Sequence, residues 1–207
     1  MAEEKKGLFI VFDGIDGCGK STALLNFTNY LAKKDKHFHL LVTREPYKKR
    51  EIRAILREES NPYTQKEKLA RLFIEDRKDH AFEVIFPNLK SGVHVISDRY
   101  KYATLVYQTV QGLEFDKLLA MHVNMPVPDI VFIIDVPVEV SSKRMNSDSR
   151  NEQKFEANKN FLDQVRHGYL ALPYLLPMER IVIIDGNKSI NEVNKQIIEE
   201  FERLIKI

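Results

Sequence analysis

The sequence predicts an α/β fold, a parallel sheet flanked by helices, in a single domain spanning residues 1–207. Two observations carry this. Five short apolar runs recur along the chain, at Gly7 to Phe12, Phe38 to Val42, Val93 to Ser97, Ile130 to Asp135 and Ile181 to Asp185. Each is rich in Val, Ile, Leu or Phe with little polar alternation, the pattern of strands covered on both faces. The segments between them are long enough for the crossover helices that parallel neighbours require.

Taken in order, the first run ends in a glycine-rich loop and a helix begins near Ala23, with Leu24, Phe27, Tyr30 and Leu31 on one face. Residues Ser141 to Arg166 are polar and short of large apolar side chains until Phe161, which predicts a surface excursion. At the far end Ser189 caps a helix, with Glu192 as its capping-box partner, and Ile190, Val193, Ile197, Phe201 and Leu204 form the expected buried stripe. No low-complexity linker or repeat divides the chain.

Composition bounds the function. Hydrophobic residues make up 43% and charged residues 30%, an ordinary globular balance. The 32 basic and 30 acidic side chains nearly cancel, which argues against a nucleic-acid binder. The single cysteine, Cys18, excludes an internal disulfide and suits a reducing compartment. The charged start, with no signal-peptide core and no apolar stretch of about 18 residues, predicts a cytoplasmic protein without a membrane partner. The six histidines lack metal-ligand spacing, so no structural zinc is expected.

The chemistry begins at Gly14-Ile15-Asp16-Gly17-Cys18-Gly19-Lys20-Ser21, followed by Thr22. This fits the phosphate-binding Gly-x-x-x-x-Gly-Lys-Ser/Thr loop in its required strand–loop–helix setting. Glycines let backbone N–H groups turn inward around phosphate oxygens, and the helix N-terminus adds positive potential. Lys20 can reach the β- and γ-phosphates, and the Ser21 hydroxyl can ligate Mg²⁺. Cys18, beside a helix N-terminus, is expected to be a small filler whose thiol pKa is open to lowering, so that a thiol reagent slows the protein and ATP protects it. The motif alone does not separate a kinase from a GTPase, an ATPase or a nucleotide sensor. A second site follows the third run, where Asp98 and Arg99 leave a strand at the sheet edge that collects ligands. There an aspartate can hold Mg²⁺ and an arginine can clamp phosphate.

Several blocks in order and spacing resemble the thymidylate kinase family of nucleoside monophosphate kinases. They are the phosphate loop, Thr43-Arg44-Glu45-Pro46, Phe73-Ile74-Glu75-Asp76-Arg77, and Asp98-Arg99-Tyr100 running on to Tyr107-Gln108. A looser block holds Lys143-Arg144 and Val165-Arg166 before Tyr169-Leu170. The resemblance implies the P-loop NTPase fold with a five-stranded parallel core, a monophosphate-binding region and a lid over about 141–160. It implies a homodimer that moves the γ-phosphoryl group of ATP onto dTMP with Mg²⁺, serving dTTP synthesis. Phe73 then stacks on thymine and Arg77 bonds a base carbonyl, the two sharing one helical face. Asp16 contacts the acceptor sugar, Arg99 holds the acceptor phosphate with Arg53 assisting, and Tyr107 crowds the sugar C2′ position. Pro46, Tyr100, Ala103, Thr104 and Gln108 line the same pocket, and Arg144 stacks on adenine. Ser21 and Asp98 are the expected metal residues.

Position 17, where some family members carry a basic residue, is glycine here, so the charge is expected from the lid, with Arg150 first and Lys154 second. Two departures stand out. Ala103 replaces a common serine, and Tyr47-Lys48-Lys49-Arg50 replaces a glycine-rich turn, leaving open whether those charges serve the acceptor or face solvent. The alternatives are a kinase for another monophosphate or a deoxynucleoside, and a nucleotide sensor without turnover.

Overall fold

The computed structural model describes residues 6–58, 64–145 and 152–206. All five apolar runs become strands, β1 (Phe9–Asp13), β2 (Leu40–Arg44), β3 (His94–Asp98), β4 (Ile130–Asp135) and β5 (Ile181–Asp185). They form one parallel sheet in the order β2-β3-β1-β4-β5. The first three run one or two residues further toward their C-terminal ends than hydrophobicity alone indicates. Their last residues are polar but still laddered, as in the Arg44–Asp98 pair of β2 and β3. β1 is buried throughout and β4 nearly so, whereas the edge strands β2 and β5 are only partly covered. The central strands alone need apolar side chains on both faces.

The helices are α1 (Lys20–Lys34), α2 (Arg50–Glu58), α3 (Lys66–His80), α4 (Phe86–Lys90), α5 (Lys101–Val110), α6 (Phe115–Ala120), α7 (Val138–Arg144), α8 (Glu152–Leu175) and α9 (Ile190–Ile205). A π turn over Ala81–Ile85 joins α3 to α4. Phe27 of α1 ties the sheet to α9, its ring lying 5.6 Å from Phe12, 6.0 Å from Phe132 and 5.1 Å from Phe201. The Ser189–Glu192 capping box forms in both directions. Val193, Ile197 and Phe201 are buried and Leu204 is half-buried, but Ile190 is 60% exposed. It opens the helix at the mouth of a cavity rather than over the core.

The polar stretch expected to form a surface excursion is helical where it is described. Phe161, Val165, Tyr169, Leu172 and Leu176 are buried at helical spacing, and α8 packs along α5. Gly168 permits that approach, since a Cβ there would lie 2.7 Å from Val106 Cγ1. The stripe is narrow and outnumbered by the polar face, which is why composition hid it. Among the described residues no helix is long and apolar enough to cross a membrane. The C-terminal edge of the sheet collects the glycine loop after β1, Glu45 after β2, Arg99 after β3 and Gly186 after β5. This is the ligand edge of an open parallel sheet.

Candidate active site

The loop after β1 wraps around Lys20, which is buried, with Nζ donating to the carbonyls of Gly14 (3.1 Å) and Ile15 (2.9 Å) and lying 3.8 Å from Asp16. Ser21 and Thr22 sit exposed on the first turn of α1 and open onto a polar cavity shared with Asp16, Arg44, Arg53, Asp98, Arg99 and Arg144. Gly17 adopts φ +74°, and a Cβ there would lie 2.5 Å from the Ser141 carbonyl of α7. The loop is packed against α7, so no basic side chain fits at position 17. Cys18 is buried, and burial pushes its thiol pKa up, against the pull of Lys20. The lowered, reagent-accessible thiol expected from its helix position is therefore incorrect; desolvation outweighs the helix terminus.

Arg99 is the hub of the site. Its backbone is left-handed (φ +70°), with N–H donating to Phe12 O at 2.8 Å. Nη2 reaches Asp16 at 2.5 Å, Nη1 reaches Asp13 at 3.4 Å, and the guanidinium lies 5.8 Å from the Tyr107 ring centre. Burial opposes the Arg99 charge, but the anionic and tyrosyl groups around it hold its pKa above the ordinary value. For Asp16 burial works upward, yet Arg99 and Lys20 prevail and its pKa is lowered.

Asp13 was not singled out from the sequence. Fully buried, it accepts from Gly14 N–H (2.9 Å), Tyr169 Oη (2.8 Å), Ala103 N–H (3.2 Å) and Tyr100 N–H (3.4 Å) as well as Arg99. Burial raises its pKa against the pull of Arg99 and Lys20. One carboxylate thus ties the phosphate loop to the start of α5 and to α8. The signal available was a carboxylate closing an otherwise apolar buried strand.

A second cavity adjoins the first. Phe73 and Arg77 of α3 share its wall, as their spacing predicts, with Tyr100, Ala103, Thr104, Tyr107 and Gln108 of the α5 region. Arg77 is almost wholly buried and already engaged, with Nε on Glu45 (2.6 Å), Nη1 on His122 (2.8 Å), and Nη2 on Tyr100 O and Thr104 Oγ1 (3.1 Å each). A guanidinium carries five N–H groups, so one remains on Nη1. Tyr100 Oη, Tyr107 Oη and Gln108 Oε1 are buried without a hydrogen-bond partner among the described residues. All three residues line this cavity, and burial pushes the Tyr107 hydroxyl up to about 12. Buried polar atoms without partners are uncommon, and these are available to whatever enters the cavity, water included.

Pro46 lies between the two cavities and lines both. Its position depends on Asp76 of α3, whose carboxylate accepts from the backbone N–H groups of Tyr47, Lys48 (2.9 Å) and Lys49 (2.7 Å). Arg53 Nη2 reaches back to Pro46 O at 3.4 Å. A third cavity, on the other side of the phosphate loop, is lined by Cys18, Thr22, Arg144, Gly186, Ile190 and Asn194 among others. Arg144 bridges Cys18 O (3.1 Å) and Gly186 O (3.0 Å) at its edge. The three cavities share walls: Asp16, Glu45, Pro46 and Arg99 join the first pair, and Gly19, Thr22 and Arg144 join the second. Three adjoining cavities, the middle one lined by Lys20, Arg44, Arg53, Arg99 and Arg144, therefore lie in series.

A family model described as thymidylate kinase matches residues 12–197. The chain belongs to the thymidylate kinase family. A protein named probable thymidylate kinase from Pyrococcus horikoshii is 35% identical over 199 residues, covering 93% of this chain and 95% of its own. A thymidylate kinase from Fervidobacterium nodosum is 36% identical over 205 residues, covering 94% and 98%. One from Kosmotoga olearia is 33% identical over 207 residues, covering 96% and 97%.

Against the thymidylate kinase pattern, the departures acquire physical readings. Ala103 lines the cavity beside Phe73 and spends its backbone N–H on Asp13. The lysines of the Pro46 turn point away from the phosphate cavity. Lys48 pairs with Asp79 (3.2 Å) and Glu83 (2.6 Å), and Lys49 with Glu75 (3.1 Å). Their charge braces the turn on α3. Arg150 lies outside the described residues, and so does the middle of the 141–160 interval.

Proposed function

We propose that this chain transfers the γ-phosphoryl group of ATP to dTMP, giving dTDP and ADP. The observation that carries it is the series of three joined cavities, with Arg99 lining both the cavity beside Phe73 and the phosphate cavity. In this reading the acceptor base enters beside Phe73. The remaining Arg77 N–H donates to thymine O4, and Gln108 Oε1 accepts from N3–H. Cytosine presents an amine and a bare N3 at those places and is refused, because buried groups left unpaired are costly. Tyr107 stands where a ribose 2′-hydroxyl would intrude.

Arg99 and Arg53 hold the acceptor phosphate while Asp16 orients the sugar and Arg99 together. The donor phosphates lie along the backbone of residues 14–19 with Lys20 on the β/γ side, and Arg144 presents its flat face to adenine. The donor set suits Mg²⁺: Ser21 and Asp98 offer hard oxygens on the phosphate cavity, and among the described residues no cluster of three or more His, Cys, Asp or Glu side chains competes. Mg²⁺ takes few protein ligands and keeps phosphates and water, and when bound it neutralises phosphate charge. The acceptor phosphate oxygen is already charged, so positioning and charge stabilisation suffice. The transferring group draws its last positive charge from Arg150 of a lid over 141–160. The protein works as a cytoplasmic homodimer, as the family resemblance implies.

The test is ADP release with ATP and Mg²⁺ across dTMP, dUMP, UMP, dCMP, dGMP and thymidine. Turnover is expected to be highest on dTMP and lowest among the pyrimidine monophosphates on dCMP. A preference for another acceptor would move the specificity, and ATP binding without turnover would leave a nucleotide sensor.

A further inference from the structure

His122 lies just beyond α6 and does not line the cavity beside Phe73, yet it contacts Arg77, which does. Its imidazole is buried against Arg77 and Leu118. Nδ1 is 2.7 Å from Leu118 O, and Nε2 is 2.8 Å from Arg77 Nη1. A carbonyl only accepts and a guanidinium only donates. The tautomer follows: the proton is on Nδ1, and the Nε2 lone pair receives Arg77. Burial and the adjacent Arg77 charge push the His122 pKa down to about 3, so the lone pair persists at neutral pH.

The same accounting runs outward on the other side of Arg77. Glu45 Oε2 takes the Arg77 Nε hydrogen, and Glu45 Oε1 lies 3.1 Å from His80 Nδ1. A carboxylate accepts, so His80 donates through Nδ1, and its Nε2 lies 2.8 Å from Thr43 Oγ1. Arg77 is gripped at Nε, Nη1 and Nη2 by three separate elements: the end of β2, the α6 terminus and α5. Among the described residues one N–H of Nη1 is left over, and because the guanidinium is planar its direction is fixed by the contacts at Nε, Nη1 and Nη2 together.

We propose that His122 is a positioning residue for base recognition, its neutral Nε2 helping to fix Arg77 so that the single free N–H points into the cavity beside Phe73. The proposal rests on the dTMP reading above. It concerns an imidazole that touches neither substrate.

The experiment compares His122→Phe, His122→Asn and His122→Gln with the parent protein. Phe keeps the ring volume and removes the acceptor. Asn keeps polarity but is too short to reach Arg77. Gln places a carbonyl oxygen near the Nε2 position. The parent is assayed first on the monophosphate panel. If it prefers an acceptor other than dTMP, the functional reading fails and the variants are read on that preferred acceptor.

The expected result for Phe and Asn is a KM for dTMP raised about tenfold, the scale of one misdirected charged hydrogen bond. The KM for ATP stays within about twofold, the kcat at saturating dTMP falls less than the KM rises, and the preference for dTMP over dCMP shrinks. Gln recovers most of the loss. Either of these two variants, which place no acceptor within reach of Arg77, suffices for this reading if it is folded by its thermal melt. Should both fail to fold, Gln decides alone: discrimination against dCMP kept within about threefold of the parent supports the role. Overturning results are an unchanged dTMP KM in a folded Phe or Asn variant, or a folded Gln variant that loses the base preference.

Discussion

Asp76→Ala tests whether the turn carrying Pro46 is held from α3 rather than by its own sequence. Asp76 is buried, and its two oxygens take three successive backbone N–H groups, Oδ1 those of Lys48 and Lys49 and Oδ2 that of Tyr47. Hydrogen bonds to a charged group contribute about 1.5–3 kcal/mol each where water cannot substitute. These N–H groups border an exposed turn, so water recovers part, and a total loss of about 3–4 kcal/mol is expected for Ala. Asp76→Asn keeps an oxygen for two of the donors but faces the third with an N–H, and should lose about 1.5–2 kcal/mol. Urea unfolding at pH 7.5 measures both, and the KM for dTMP should rise with them, since Pro46 and Arg53 lose their support. Losses below about 1 kcal/mol for Ala, or equal losses for Asn and Ala, would refute the reasoning.

Two further outcomes are expected. Below pH 6.5 the unfolded chain protonates His122 whereas the folded protein refuses the proton down to about pH 3. The unfolded state then binds more protons, and stability falls with falling pH by up to about 1.4 kcal/mol per unit. His94, whose pKa is also lowered by burial, adds in the same sense. Urea unfolding at pH 7.5 and 5.5 should therefore show a steeper loss for the parent than for His122→Gln, and equal slopes would contradict it. For Arg150→Ala, turnover on dTMP should fall by roughly 10³-fold or more while ATP binding persists, and unchanged turnover would remove Arg150 from the reaction.

The repetitive parts of the architecture were legible because their signals are local. A buried central strand such as β4 must be apolar along its whole length, and a phosphate loop needs its glycines and lysine in consecutive order. The Ser189–Glu192 cap is likewise written within four residues. Phe73 and Arg77 meet one cavity because helical spacing puts them there. Helix α8 escaped because its buried stripe is thin against a polar background. It became visible only once α5 and Gly168 supplied the surface on which it packs.

What sequence by itself determined was the sheet, the phosphate loop and the family of residues around it. Tertiary structure alone decided their partners. Asp13 meets Tyr169 across 156 positions of chain, and Arg77 meets His122 across 45. No local pattern encodes such pairs, because a buried charge specifies only that it must be paired and leaves the partner to the packing. The Pro46 turn makes the same point in reverse. Its lysines read as open to either the acceptor phosphate or solvent, and the fold turned them outward because acidic residues of α3 and the following π turn lay within reach.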